Sequence, residues 1–400
     1  MGRAVHMEKI LSILALFLFF FAFTPASEGA SAKKLNVFVN CDANYSTVQS
    51  ALNGLTGPAT IIVSGTCTEN LQITKDDVTI TGATSATTIQ PADLDLPTIL
   101  VQGASRVALS NMIVEGDSAG VSEVIGSSVI INNCTIRNAS VGVNVMDSAA
   151  LILANSTITG NGTGVLVHNS GSARIGVNVA GQSGPNTITG NSKEGIRVAN
   201  GGAAYIHSNT ISGNQTGVAI NHATARLLGG NTITGNGGTD PNNPGYGVAV
   251  RQGVLLQGAG DYPLQDAPSR DTISGNNFSG LFAWNGSSLD IQYATINGNL
   301  GNGIVLSLHS TMRILSPTPT PTSTPTSTVG DNTHDGIYVE LGSAVRFGLP
   351  AASVTANNGF GLRCADTESH YSANNVSGII TGNAEGNIQC TPFTPFPTSP

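Results

Sequence analysis

The chain has 400 residues, of which 40% are apolar and only 10% charged, with 49 glycines and a formal net charge of −8. That apolar content suffices to bury a core, which excludes wholesale disorder. Lys and Arg are dispersed along the sequence, which argues against a nucleic-acid surface built on a basic stripe.

Residues 1–32 read as a secretory signal peptide. Arg3 and Lys9 precede the apolar run Ile10–Phe23, and Ala30-Ser31-Ala32 supplies a small-residue cleavage site. A membrane anchor is the alternative, but the run is shorter than the roughly 20 residues that a spanning helix needs. No second such run follows, so a chain beginning near Lys33 is expected outside the cytoplasm, secreted or at the cell surface, with no membrane span and as a monomer.

After Tyr45–Leu52, which fits a short amphipathic capping helix, one phrase recurs: NSTITGNGTGVLV from Asn155, NTITGNSKEGIRV from Asn186, NTISGNQTGVAI from Asn209 and ATINGNLGNGIVL from Ala294. The isoleucine after Thr falls at 136, 158, 188, 211, 233, 273 and 296, with spacings of 22, 30, 23, 22, 40 and 23. Apolar residues alternate within each unit, which is strand periodicity. Three short strands fit per unit: an Ala-x-Leu type (Ala150–Leu153, Ala203–Ile206), the Thr-Ile strand and the Gly-Val-x-Val strand. Such a unit cannot bury its apolar face alone, so units must stack coil on coil.

The predicted fold is all-β: a right-handed, single-stranded parallel β-helix of about 10–12 coils spanning residues 33–390. The pattern resembles the pectate-lyase-like superfamily over nearly the whole chain. Ser64-Gly65-Thr66-Cys67-Thr68-Glu69-Asn70 is similar to the G-T-Y-x-E-N opening of such helices, with Cys in place of Tyr. The Pro/Thr run 316–328 is expected to bulge out as a loop, or else to divide two domains. Residues 391–400 read as a Pro/Thr tail or linker.

Cys41 with Cys67, and Cys364 with Cys390, are each 26 residues apart, about one coil, and are expected to staple the two ends. Cys134 is left as a buried thiol. The asparagines ending the Thr-Ile strand (Asn161, Asn191, Asn214, Asn236, Asn276 and Asn299) read as a structural ladder. Cysteines and histidines do not cluster, so no metal site is expected and no cofactor is required, with Ca²⁺ a possible addition for a carboxylate site.

In the Gly-Val-x-Val strand the residue between the two inward positions, and the one just past the strand, face out. Read coil by coil, these outward pairs include Ala249/Arg251, Phe282/Trp284, Val305/Ser307, Tyr338/Glu340 and Arg363/Ala365. Arg251, Phe282, Trp284, Tyr338 and Arg363 are the candidate substrate-binding residues, since rings stack on sugar faces and guanidinium forks pair carboxylates. The competing reading is that an insert folds over the aromatics and buries them. The candidate acid-base group is His334 and Asp335, with Glu340 just past the following strand. Asp261, Asp266, Arg270 and Asp271 form a second, weaker cluster.

The resemblance implies polysaccharide chemistry, but the Asn-Thr-Asp, Asp-Asp, Gly-His-Gly and Arg-Ile-Lys set of polygalacturonases is missing. So is the Arg-x-Pro-x-x-Arg of pectate lyases, which puts catalysis in doubt. The expected function is therefore an exported β-helix contacting extracellular polysaccharide or a cell-surface glycan, without strong catalytic activity. A divergent polysaccharide lyase or hydrolase, and a structural or adhesive rod, are the alternatives. Two carboxylates, or one with Arg, converging in an open groove would favour the enzyme.

Overall fold

The computed structural model describes residues 34–43, 47–238, 244–257, 270–315, 327–348, 352–372 and 380–390. The expected signal peptide, residues 316–326 of the Pro/Thr run, the tail, and Asp261 and Asp266 lie outside the described residues.

Three parallel sheets wind around one core. One has fourteen strands, running from Leu35–Asn40 to His370–Ser372, and the other two have thirteen each. Each strand pairs with its counterpart one coil away, so the chain is a parallel β-helix of thirteen coils. That exceeds the expected 10–12 because the first coils, such as Leu71–Ile73 and Ile99–Gln102, keep the strand spacing without the repeat phrase. Thr328, counted with the Pro/Thr run on composition, instead opens the strand Thr328–Gly330.

The packing follows from register. Ile136, Ile158, Ile188, Ile211, Ile233, Ile273 and Ile296 stack in one column, each at most 1% exposed. Every such side chain contributes about 1.5–3 kcal/mol by leaving water. Beside this column runs a buried amide ladder. Asn161 donates its backbone N–H (3.1 Å) and its Nδ2 (3.0 Å) to Asn191 Oδ1, and the pattern repeats through Asn214, Asn236, Asn276, Asn299, Asn332, Asn357 and Asn383.

The two glycines of the phrase serve different ends. Gly160, in the Thr-x-Gly-Asn turn, has φ +66°, which favours a residue without Cβ. Gly164, opening the next strand, is needed for room: a Cβ there would lie 2.5 Å from the Gly195 carbonyl oxygen and 3.0 Å from Asn191 Nδ2. The second glycine thus protects the ladder.

Helix α1 (Val48–Gly54) buries Val48 and Leu52 over the first coil. Thr47 caps it by accepting the Ser50 N–H at 3.0 Å, while Glu69 accepts the N–H groups of Val48 and Gln49, both at 2.9 Å. Disulfides Cys41–Cys67 and Cys364–Cys390 close the two ends, and Cys134 is a buried free thiol.

Candidate functional site

The outer face of the Gly-Val-x-Val sheet carries two groups of side chains on one stacked column. Successive outward positions are Ala249, Phe282, Val305, Tyr338 and Arg363. At about 4.8 Å per coil, Phe282 and Tyr338 stand about 10 Å apart. Ala249 and Val305 are only 6% and 4% exposed, small residues flanked by larger ones.

The upstream group is aromatic. Phe282 and Trp284 project from the strand Leu281–Trp284, with ring centroids 4.9 Å apart, and Tyr246 stacks on Phe282 at 4.7 Å with a 12° interplanar angle. Phe278 meets Tyr246 edge-on at 5.5 Å. Phe282 and Trp284 are half-buried and Phe278 is 41% exposed, so part of this cluster remains open to solvent. Arg251 is exposed one rung before Trp284, directly opposite it in the register.

The downstream group forms a cleft of about 240 Å³ lined by Asn302, Thr333, His334, Asp335, Tyr338, Asn358, Gly359, Arg363 and Glu385. Asp335 is fixed by its own turn: its backbone N–H donates to Asn302 Oδ1 at 2.9 Å, and its Oδ1 accepts the Phe360 N–H at 2.7 Å. Its Oδ2 lies 3.8 Å from Arg363 Nη1. The Arg363 guanidinium sits 5.9 Å from the ring centroids of both Tyr338 and Phe360.

Burial is the first cause raising the Asp335 carboxyl above its ordinary value, and the Glu385 charge adds to it. The Phe360 N–H, Arg363 and His334 oppose the rise. The Tyr338 phenol is raised first by burial and next by the charge of Glu340, which also accepts its hydrogen bond, while Arg363 pulls it back. The cleft therefore holds one exposed guanidinium, a carboxyl that burial raises above its ordinary value, a phenol, an imidazole and a second carboxylate.

Four expected site residues, His334, Asp335, Tyr338 and Arg363, thus line one cleft. Glu340 does not line it and acts on it through Tyr338. Arg251, Phe282 and Trp284 lie upstream on the same face rather than in the cleft. Of the second candidate cluster only Arg270 and Asp271 lie among the described residues: Arg270 lies 5.6 Å over the Tyr293 ring, and Asp271 is fully buried, its Oδ1 accepting Asn231 Nδ2 at 2.7 Å and its Oδ2 accepting Gln257 Nε2 at 2.8 Å.

Tyr246, Phe278, Asn302, Thr333, Asn358 and Glu385 were not singled out by the sequence. A signal for two of these, Tyr246 and Asn302, exists nonetheless. The position two residues before the first inward apolar residue of each strand reads Tyr246, Ser279, Asn302, Asp335 and Phe360 in successive coils, and it forms the wall that holds Asp335.

This fold and face define an all-β parallel β-helix with an open, partly aromatic and partly charged outer sheet. Residues 64–245 and 180–316 match the family described as "Periplasmic copper-binding protein (NosD)", together well over half of the chain, which belongs to that family. No curated protein matches the sequence. Among solved structures, the A-module of the Azotobacter vinelandii mannuronan C-5 epimerase AlgE4 is similar, with TM-score 0.50, 13% identity, and coverage of 89% of this chain and 98% of that one. The AlgE6 A-module of the same organism gives TM-score 0.49 and 14% identity over 86% and 92%. At such identity the likeness shows the fold alone.

A copper site would draw on imidazole and sulfur donors held close together. Among the described residues, the His, Cys, Asp and Glu side chains close enough to share an ion in a group of three are Cys41, Cys67 and Glu69. Both sulfurs are spent in a disulfide and the Glu69 carboxylate caps helix α1. These residues do not fit copper. Among the described residues no helix is long and apolar enough to cross a membrane.

Proposed function

We propose that this exported β-helix holds an acidic polysaccharide along the outer face of its Gly-Val-x-Val sheet. In this reading Arg363 pairs a sugar carboxylate, Tyr338 offers a sugar-stacking ring, and Phe282 with Trp284 takes a further sugar along the same column. The observation that carries the reading is the convergence of Arg363 with Tyr338, His334, Asp335 and Glu385 in an open cleft. The test is titration with polygalacturonate, alginate and neutral xylan, followed by fluorescence of Trp284, the single tryptophan. The expected result is a response to the acidic polymers that Arg363→Ala removes; an unchanged response in that variant, or equal response to xylan, would refute the reading.

The same convergence favours a second reading, in which the cleft performs β-elimination on the bound uronate. Arg363 would neutralise the carboxylate, the imidazole of His334 would take the C5 proton, and the electron pair would form the C4–C5 double bond as the C4–O bond breaks. Asp335, whose carboxyl burial raises above its ordinary value, would carry the proton returned to the leaving oxygen. Ultraviolet absorbance of an unsaturated product, measured with and without calcium, separates the two readings: release abolished by Asp335→Asn and His334→Ala makes the protein a lyase, and silence with intact binding makes it a binding module.

A further inference from the structure

The arginines are dispersed in sequence but not in space. On the outer side of the fourteen-stranded sheet, away from the cleft's sheet, successive coils place Arg174, Tyr205, Arg226, Leu256, Asp290, Arg313 and Arg346 in one register column. Arg174 must point outward because Ala173 and Ile175 beside it are 2% and 0% exposed. The buried pairs Ala225/Leu227, Met312/Ile314 and Val345/Phe347 fix Arg226, Arg313 and Arg346 in the same way.

Four of the eleven arginines of a chain with net charge −8 thus stand in single file. Arg174, Arg313 and Arg346 are exposed and Arg226 is half-buried. Asp290, the one acid in this run of the column, pairs with Arg313. The neighbouring outward column reads Ser172, Ala203, Thr224, Val254, Ser288, Thr311 and Ala344. It is short and uncharged throughout, so the arginines form a ridge beside a flat shelf one side chain wide.

We propose that this ridge and shelf form a second binding track, for one extended anionic polysaccharide chain. Arg forks pair carboxylate or sulfate groups bidentately, and Tyr205, between Arg174 and Arg226, offers a ring to a sugar face. The two cations are two rungs, about 10 Å, apart. A nucleic acid, with a charge on every nucleotide, calls for a broader cationic surface than a single file interrupted by Leu256 and Asp290. Because the track lies on a different sheet from the cleft, it would retain the polymer independently of what the cleft does. The proposal does not rest on the cleft reading.

The test uses the full chain in an Arg363→Ala background, which removes the cleft's cation, and measures salt elution from immobilised alginate, with single-stranded DNA as competitor. Retention should persist in Arg363→Ala. Adding Arg174→Ser and Arg226→Ser should weaken it by about tenfold or more and flatten its salt dependence, as expected for two lost charge-assisted contacts. Arg174→Lys with Arg226→Lys should restore part of it. An unchanged thermal midpoint shows that the variants fold, as expected for outward side chains. Retention lost in Arg363→Ala alone, unchanged in the serine pair, or displaced more readily by DNA than by free alginate would overturn the proposal.

Discussion

Glu123 occupies an inward position of the strand Ala119–Val124, between Val101 and Val145 in the register. It is 0% exposed and neither carboxylate oxygen has a hydrogen-bond partner. Burial holds its pKa well above the ordinary glutamate value, so in the fold it carries a proton that the unfolded chain releases. Replacing it with Val restores the apolar column. An unpaired buried polar group costs about 1–3 kcal/mol, and the smaller side chain returns about 1 kcal/mol of that as cavity. Glu123→Val should therefore stabilise the protein by up to about 2 kcal/mol at low pH.

The gain must grow as pH rises. A folded pKa above the unfolded one gives stability that is fully present below the unfolded value, about 4.3, and that is lost at up to about 1.4 kcal/mol per pH unit above it until the folded group ionises. Urea midpoints of wild type, Glu123→Val and Glu123→Gln, compared at each pH from 4 to 8, read this directly. Because a solenoid unfolds in sections, the comparison is of midpoint differences at matched pH. Both variants should lose the slope, and Gln should lie below Val because its amide is equally unpaired. A Val variant less stable than wild type throughout, or a wild-type deficit that does not widen with pH, would refute the reasoning.

Asp271 replaces asparagine at the fourth position of a second ladder that runs from Asn186 through Asn209 and Asn231. Burial pushes its carboxyl up to about 6 against the hydrogen bonds of Gln257 and Asn231. Its contribution is therefore present below the ordinary aspartate range and lost as pH rises through about 6; Asp271→Asn should erase that slope in urea midpoints, at a cost of about 1 kcal/mol for the one Gln257 Nε2 hydrogen bond lost, since Nε2 keeps the Tyr293 carbonyl. In the main ladder, Asn214→Ala strips partners from the Asn191 N–H and Nδ2 and from the Ile188 carbonyl. A loss of about 3 kcal/mol or more is expected, and a change under about 0.5 kcal/mol would show the ladder to be dispensable. Gly195→Ala would put a Cβ 2.8 Å from both Asn214 Nδ2 and the Gly217 carbonyl oxygen; it should lower the melting temperature far more than Gly201→Ala, where nothing lies within 4 Å and only the φ of +77° resists.

Legibility in the sequence follows what stacking demands. The Thr-Ile column, the asparagine ladder and both disulfides repeat at near-coil spacing, so one-dimensional periodicity reported three-dimensional neighbours. Arg251, Phe282, Trp284, Tyr338 and Arg363 were legible by the same logic, because inward positions fix which residues face out. Tyr246 was hidden by the extra residues that, in the sequence, interrupt the phrase before the strand Val248–Arg251. Glu385 belongs to a terminal coil where the phrase has decayed. Glu123 kept the Gly-Val-x-x-Val outline while placing an acid inside, a conflict visible only once the register with Val101 and Val145 is known. The arginine column escaped for a related reason: its members come from strands of the Ala-x-Leu type, whose outward positions carry no repeated letter.

This separation of columns suggests how such a scaffold acquires function. The inward columns and the ladders are coupled from coil to coil, so a change there is felt by its neighbours, whereas an outward residue touches its own strand and the adjacent rungs but not the core. On the Gly-Val-x-Val sheet the outward column runs Ser122, Asn144, Leu166, Arg197, Ala219 and Ala249 before it reaches Phe282, Val305, Tyr338 and Arg363. The aromatic members are confined to its later coils, where the position two residues before the first inward residue reads Tyr246, Ser279, Asn302, Asp335 and Phe360. Two columns that change character over the same coils place chemistry at one end of a face whose core remains regular throughout. The cleft is thus a local change of outward letters on an unaltered frame, and substitutions at Tyr338 or Arg363 should alter ligand response while changing the stability read from urea unfolding by no more than about 0.5 kcal/mol.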